Sequence, residues 1–228
     1  MNKKYEFVPG DEKVIAPGRT VKRIRSLVAI AIFDVPSGSL GGYIESEANL
    51  SVYGNAWVSG NAWVSGDAWV YGDARVYGDA RVSGNARVYG NAWVYGNAQV
   101  SGDARVYGDA QVYGDAQVYG DARVYGDAWV SGDAQVYGDA WVYGDARVSG
   151  DGLIFWASKV GTANGTLTVF NGKDGLIVTR GCFIGSVDEF LAKSEREHDD
   201  ATHLEYRLLI EVAHSRISRA IAKAGGAA

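Results

Sequence analysis

From Val52 to Val148 the chain repeats one six-residue phrase, Val-(Tyr/Ser)-Gly-(Asp/Asn)-Ala-x, with no break in the sequence register. Valine returns at every sixth position, glycine two places later, Asp or Asn three places later, and alanine four places later as far as Ala146. A fixed short period marks a solenoid, in which each unit buries its apolar side only by stacking on its neighbours. Six residues are too few for a helical hairpin, and one glycine with one Asp or Asn per unit would interrupt any helix.

Ala-x-Val alternates with period two, so alanine and valine share one face and x takes the other. Gly-Asp or Gly-Asn supplies a bend, because both residue types tolerate left-handed backbone angles and Asx side chains bond nearby amides. Each unit reads as a short strand and a corner. Three corners close a turn of 18 residues, and turns stacked like parallel strands lie about 4.8 Å apart, so six make a prism of about 29 Å. Every third unit then falls in one column. Tyr53, Tyr71, Tyr89, Tyr107, Tyr125 and Tyr143 form an unbroken tyrosine column, whereas the other two corner columns mix tyrosine and serine.

The outward x positions also fall into three columns. The first is Trp57, Arg75, Trp93, Gln111, Trp129, Arg147; the second is Trp63, Arg81, Gln99, Gln117, Gln135; the third is Trp69, Arg87, Arg105, Arg123, Trp141. Stacked Trp and Arg support each other through cation–π contacts. Trp, Tyr and Arg also dominate binding hot spots. The tyrosine column with Arg87, Arg105 and Arg123 is therefore the candidate subunit interface, or a site for a flat anionic ligand. A lining of valine and alanine is thin, so outward aromatics must be covered by one another or by a further copy; an oligomer is expected.

Charge is unevenly spread over a net of −5. Residues 1–43 hold seven Lys/Arg against four Asp/Glu, and residues 44–151 hold six arginines against fourteen acids. An acidic prism argues against nucleic-acid binding; its corner aspartates are expected to bond their own backbone and face water. The longest apolar run, Leu27 to Phe33, is too short to span a bilayer, and no basic-then-apolar leader opens the chain, so no membrane partner and a cytoplasmic location are expected. Cys182 is the single cysteine, read as a small buried hydrophobe.

Open strand edges at both prism ends invite aggregation unless covered. Residues 1–43 form an N-terminal cap with strand-like composition from Thr20 to Phe33. The repeat prism takes residues 44–156. Residues 157–185 form a β-hairpin cap, with Thr166 to Phe170 and Leu176 to Thr179 flanking the turn Asn171 to Gly175. Residues 186–228 hold two helices. Ser186-Val-Asp-Glu189 is a capping box, with Val187, Phe190 and Leu191 inward. Thr202 to Ala222 carries one apolar stripe through Tyr206, Leu209, Ala213, Ile217 and Ala220/Ile221, expected to pack on the prism end or a sister chain.

The phrase Val-x-Gly-Asp-Ala-x resembles the hexapeptide repeat of the left-handed β-helix. Arg23-Ile-Arg-Ser-Leu27 followed by Asp34 to Leu50 is similar to the lead-in of hexapeptide-repeat proteins from bacteria and prophages, and Gly181 to Phe190 is similar to the closing segment of the phage members. The resemblance covers nearly the whole chain. It implies an all-β solenoid, a left-handed parallel β-helix of about six 18-residue coils with an N-terminal β cap and a C-terminal hairpin plus two helices. It implies a homotrimer with ligand sites between subunits, and an acyltransferase label taken from the fold. Hexapeptide acyltransferases that resemble this fold use a histidine base in a loop that interrupts the repeats and hold acyl-CoA between prisms. Here the only histidines are His198, His203 and His214 in the tail, and no loop interrupts the repeats. A general base must lie within about 3 Å of its proton or one water away. No catalytic residue, metal ligand or cofactor is therefore assigned, with acetyl-CoA reserved for the acyltransferase alternative. The expected function is a non-catalytic binding or assembly module, with sequestration of a small ligand or host factor as one form of it; a structural spacer is the third reading.

Overall fold

The computed structural model describes residues 3–150, 152–172 and 175–225. Its centre is a three-walled parallel β-solenoid. Sixteen short strands, β4 (Trp57–Val58) to β19 (Arg147–Ser149), each pair with the strand 18 residues away. Wall one carries the strands that start at Trp57, Arg75, Trp93, Gln111, Trp129 and Arg147, wall two those that start at Trp63, Arg81, Gln99, Gln117 and Gln135, and wall three those that start at Trp69, Arg87, Arg105, Arg123 and Trp141. The same kinds of backbone bond recur along the prism: Trp93 N–H donates to Ala110 O, Tyr95 N–H to Val112 O and Asn97 N–H to Gly114 O, each at 2.9 Å. The interior is the expected single file of valine and alanine, fully buried from Ala74 to Val148.

Corners are glycine on glycine. Gly90 sits at φ +69°, and a Cβ there would come within 2.9 Å of Gly108 N. Both the left-handed backbone and the rung below it require glycine.

The first lap departs from the sequence register. Tyr43 pairs with Trp63, Ile44 with Val64 and Leu50 with Val70, an offset of 20 residues that returns to 18 at Trp57 and Arg75. Leu50 is buried where the valine column predicts Val52, and Val52 is 40% exposed. Asn49 explains the slip. Its side-chain amide donates to Gly66 O and Ala68 O, both at 2.8 Å, and its Oδ1 accepts from Ser46 N–H. With Asn49 pinned to the next rung, Leu50 turns inward, and the two extra residues bulge outward between Ser51 and Tyr53.

The N-terminal cap is a hairpin, β1 (Tyr5–Ala16) and β2 (Arg19–Ser26), which continues through β3 (Leu40–Ile44) into wall two. The expected strand from Thr20 ends at Ser26, and Ala31–Phe33 is a 3-10 turn. Arg23 and Arg25 form no basic patch. Arg23 pairs with Asp11 at 2.9 Å and lies over the Tyr43 ring, and Arg25 pairs with Glu6. The cap buries Trp57; a Cβ at Gly41 would lie 2.8 Å from its indole, so the lead-in needs glycine there.

At the far end β20 (Ile154–Val160), β21 (Gly165–Gly172), β22 (Gly175–Arg180) and β23 (Phe183–Ser186) form an antiparallel sheet. The expected hairpin is its middle pair; Lys173 and Asp174 of the turn lie outside the described residues. Strand β20 runs across the division drawn at residue 156. This sheet covers the last rung: Trp141 N–H donates to Thr168 Oγ1 at 3.4 Å, and the Thr179 hydroxyl donates to Trp141 O at 3.3 Å. Helix α1 (Val187–Glu197) begins at the expected capping box, with Glu189 N–H donating to Ser186 Oγ. Helix α2 (Asp200–Gly225) buries Tyr206, Ile210, Ala213 and Ile217 against β20 and β21. The stripe thus packs on the cap sheet, and Ile221 remains exposed. No described helix is long and apolar enough to cross a membrane.

Replacing Gly90 by alanine forces a left-handed alanine against Gly108. Chemical denaturation should show a loss of about 1–3 kcal/mol, whereas Ser101→Ala at a neighbouring corner should leave the midpoint within about 0.5 kcal/mol.

Candidate functional site

Wall three and the corner that follows it carry the candidate residues. Because each rung repeats the one before, Tyr71, Tyr89, Tyr107, Tyr125 and Tyr143 stack face to face, with ring centres 4.7–4.9 Å apart and planes within 5° of parallel. The stack closes on the cap sheet, where the Tyr143 hydroxyl donates to Phe183 O at 2.7 Å. Tyr53 is not a member. The bulge of the first lap carries it outward, 76% exposed, and the indole of Trp69 stacks on Tyr71 instead, at 4.0 Å. Five of the six sequence-predicted tyrosines are thus brought together.

Arg87, Arg105 and Arg123 follow one another in register along the same wall. Arg123 lies over Trp141 at 4.7 Å. Among the described residues Arg87 and Arg105 have no ion pair, hydrogen bond or cation–π partner from their side chains. On the other walls arginines are engaged. Arg75 lies over Phe33 and Tyr77, Arg81 over Trp63 and Arg147 over Trp129, and Arg147 Nη1 also donates to three carbonyls.

The stacking determines what the tyrosine column can do. Its ring faces contact each other, so it presents ring edges and hydroxyls outward. A flat ligand meets no free face between the rungs. Burial within the stack pushes the phenols of Tyr71, Tyr107 and Tyr125 above the ordinary tyrosine value, and neighbouring tyrosines add to the rise. Burial pushes Tyr143 up to about 12.

The corners hold a feature that residue-by-residue reading missed. Asn85, Asn91 and Asn97 each donate from Nδ2 to the Asp 18 residues later, Asp103, Asp109 and Asp115, at 2.9–3.0 Å. Asn55 does the same to Asp73 at 2.7 Å. These aspartates bond across rungs as well as facing water. The signal was present as Asn preceding Asp by one lap. The histidines are remote: His203 Nδ1 lies 3.3 Å from Ser194 Oγ between the two helices. Cys182 is exposed in the turn between β22 and β23, because its side chain leaves the sheet where Gly181 reverses the chain.

Residues 52–66, 68–83, 80–96, 98–115, 116–132 and 134–150 match the family described as YdcK beta solenoid repeat. The repeats of the prism are similar to that family's repeat. None of the curated proteins matches the chain. The matching segments begin at Val52, one bulge ahead of the regular rungs, and stop at Gly150, before the cap sheet.

A phenol whose ionisation is opposed by the fold contributes stability below the unfolded tyrosine value, near 10, and loses it as pH rises through the folded value. Buried Lys4 acts with the opposite sign. Burial lowers it to about 8, and its ammonium donates to Ala56 O, so between about 8 and its ordinary value of 10.5 stability rises with pH. The thermal midpoint should therefore fall as pH passes from 10.5, where the Lys4 gain is complete, toward 12, and Tyr107→Phe should shrink that fall; circular dichroism melts at pH 10.5 and 12 check both.

Proposed function

We propose that this chain is a non-catalytic assembly and binding module, a homotrimer whose protomers meet on wall three, acting in the cytoplasm of a bacterium or of a phage-infected host. One observation carries the reading: Arg87 and Arg105 stand without partners on a wall flanked by Trp69, Trp141 and a row of tyrosine edges. Unpaired guanidinium groups beside aromatics suit a protein interface. The anions that best match their repeat belong to the chain itself. Asp109 and Asp127 are 18 residues apart, as are Arg105 and Arg123, so both rows climb by one rung per residue. With the symmetry axis along the prism, cyclic symmetry brings equal heights together, and the pairs assigned to this interface are Arg105 with Asp109 and Arg123 with Asp127 of the neighbouring copy. Each such pair contributes modestly at a surface; together they select partner and register.

The occupied ring faces of the tyrosine column favour a subunit interface over an intercalated ligand. A small ligand or host protein bound between copies is compatible with the same wall.

Native mass spectrometry and sedimentation at micromolar concentration should find three copies. Arg105→Glu should weaken assembly at least about tenfold, and adding Asp109→Arg should restore part of it. A monomer at these concentrations, or full assembly by Arg105→Glu, overturns the reading. A melting shift with acetyl-CoA would instead support acyl transfer.

A further inference from the structure

The tyrosine stack of wall three ends at its first rung on an indole face that no further ring covers. Each ring from Tyr89 to Tyr125 has a neighbour on both faces. At the first rung the 20-residue lap removes Tyr53 from the column, and Trp69 ends the stack. Trp69 contacts Tyr71 on one face only; the indole is 40% exposed and lines a cleft of about 680 Å³. The floor of that cleft is Leu50 and Val52, and Tyr53 stands at its edge with its ring unstacked. Rim charges cancel, since Lys3 pairs with Glu47 at 3.3 Å. The volume is that of a small-molecule site, apolar with few polar groups.

We infer that this cleft binds one planar, uncharged aromatic ring, which stacks on the outer face of Trp69 as the missing rung of the column, with Tyr53 closing over it. The size, the free face and the apolar floor select a flat ring; the paired rim gives no net charge to attract an ion. The site arises from the break in the repeat, so it occurs once per chain. Trp69 is the first residue of wall three, so the cleft sits at the end of the face proposed above for assembly, while Tyr53 and the bulge lie outside the arginine row.

The test is a titration of the full chain with 5-fluoroindole followed by fluorine NMR. Wild-type protein should show saturable binding. Trp69→Ala should weaken it by at least about tenfold, the usual scale for losing one stacking partner. Trp129→Ala, an exposed indole on wall one, should leave it unchanged. Trp69 also ends the stack, so Tyr53→Ala serves as the second variant: its ring contacts no rung, and it should weaken binding several-fold at an unaltered melting temperature. Absence of saturable binding, or wild-type affinity in both Trp69→Ala and Tyr53→Ala, overturns the inference.

Discussion

The structure depends on the inter-rung hydrogen bond. An N–H on one lap meets a carbonyl on the next at a constant offset, and two or three such bonds per hexapeptide fix height and register together. No adjustment is possible within a rung without breaking several bonds at once, each costing about a kcal/mol or more when left unmade. The side chains inherit this rigidity. Valine falls on valine, glycine on glycine and tyrosine on tyrosine, because backbone pairing permits no other alignment. The aromatic column and the arginine row are therefore products of the ladder, and their spacing is the ladder's spacing.

This explains what could be read from the residues and what could not. The three walls, their x columns and the valine–alanine lining follow from a period of six and a lap of three units, and the coordinates carry them without exception from Trp57 to Val148. The failure came at Val52, where the letters of the repeat have begun but the fold has not. The pattern could not show that Asn49 would bond two carbonyls of the next rung and seat Leu50 in the column. Local sequence favoured Val52; one long-range side-chain contact decided otherwise. Tyr53 left the candidate site for that reason alone.

The caps show the same division. A capping box at Ser186 and a hairpin around residues 166–179 are local signals, and both formed. What they pack against is not local. Helix α2 lies on the cap sheet because Tyr206, Ile210, Ala213 and Ile217 meet β20 and β21, a pairing that no periodicity specifies. The arginines of wall three were legible as a row, but the lack of partners at Arg87 and Arg105 was not, since that depended on where every acid came to rest.

The cap sheet meets the prism through Thr168 and Thr179, which grip the backbone of one residue, Trp141. Lengthening or shortening the gene by a whole lap would carry the sheet along the axis and return the same wall beneath it. A change of a single hexapeptide would rotate it, together with the last rungs, by a third of a revolution relative to the walls of the N-terminal end. Evolution can thus vary the height of this prism freely only in steps of three repeats, while smaller steps reorient everything beyond them.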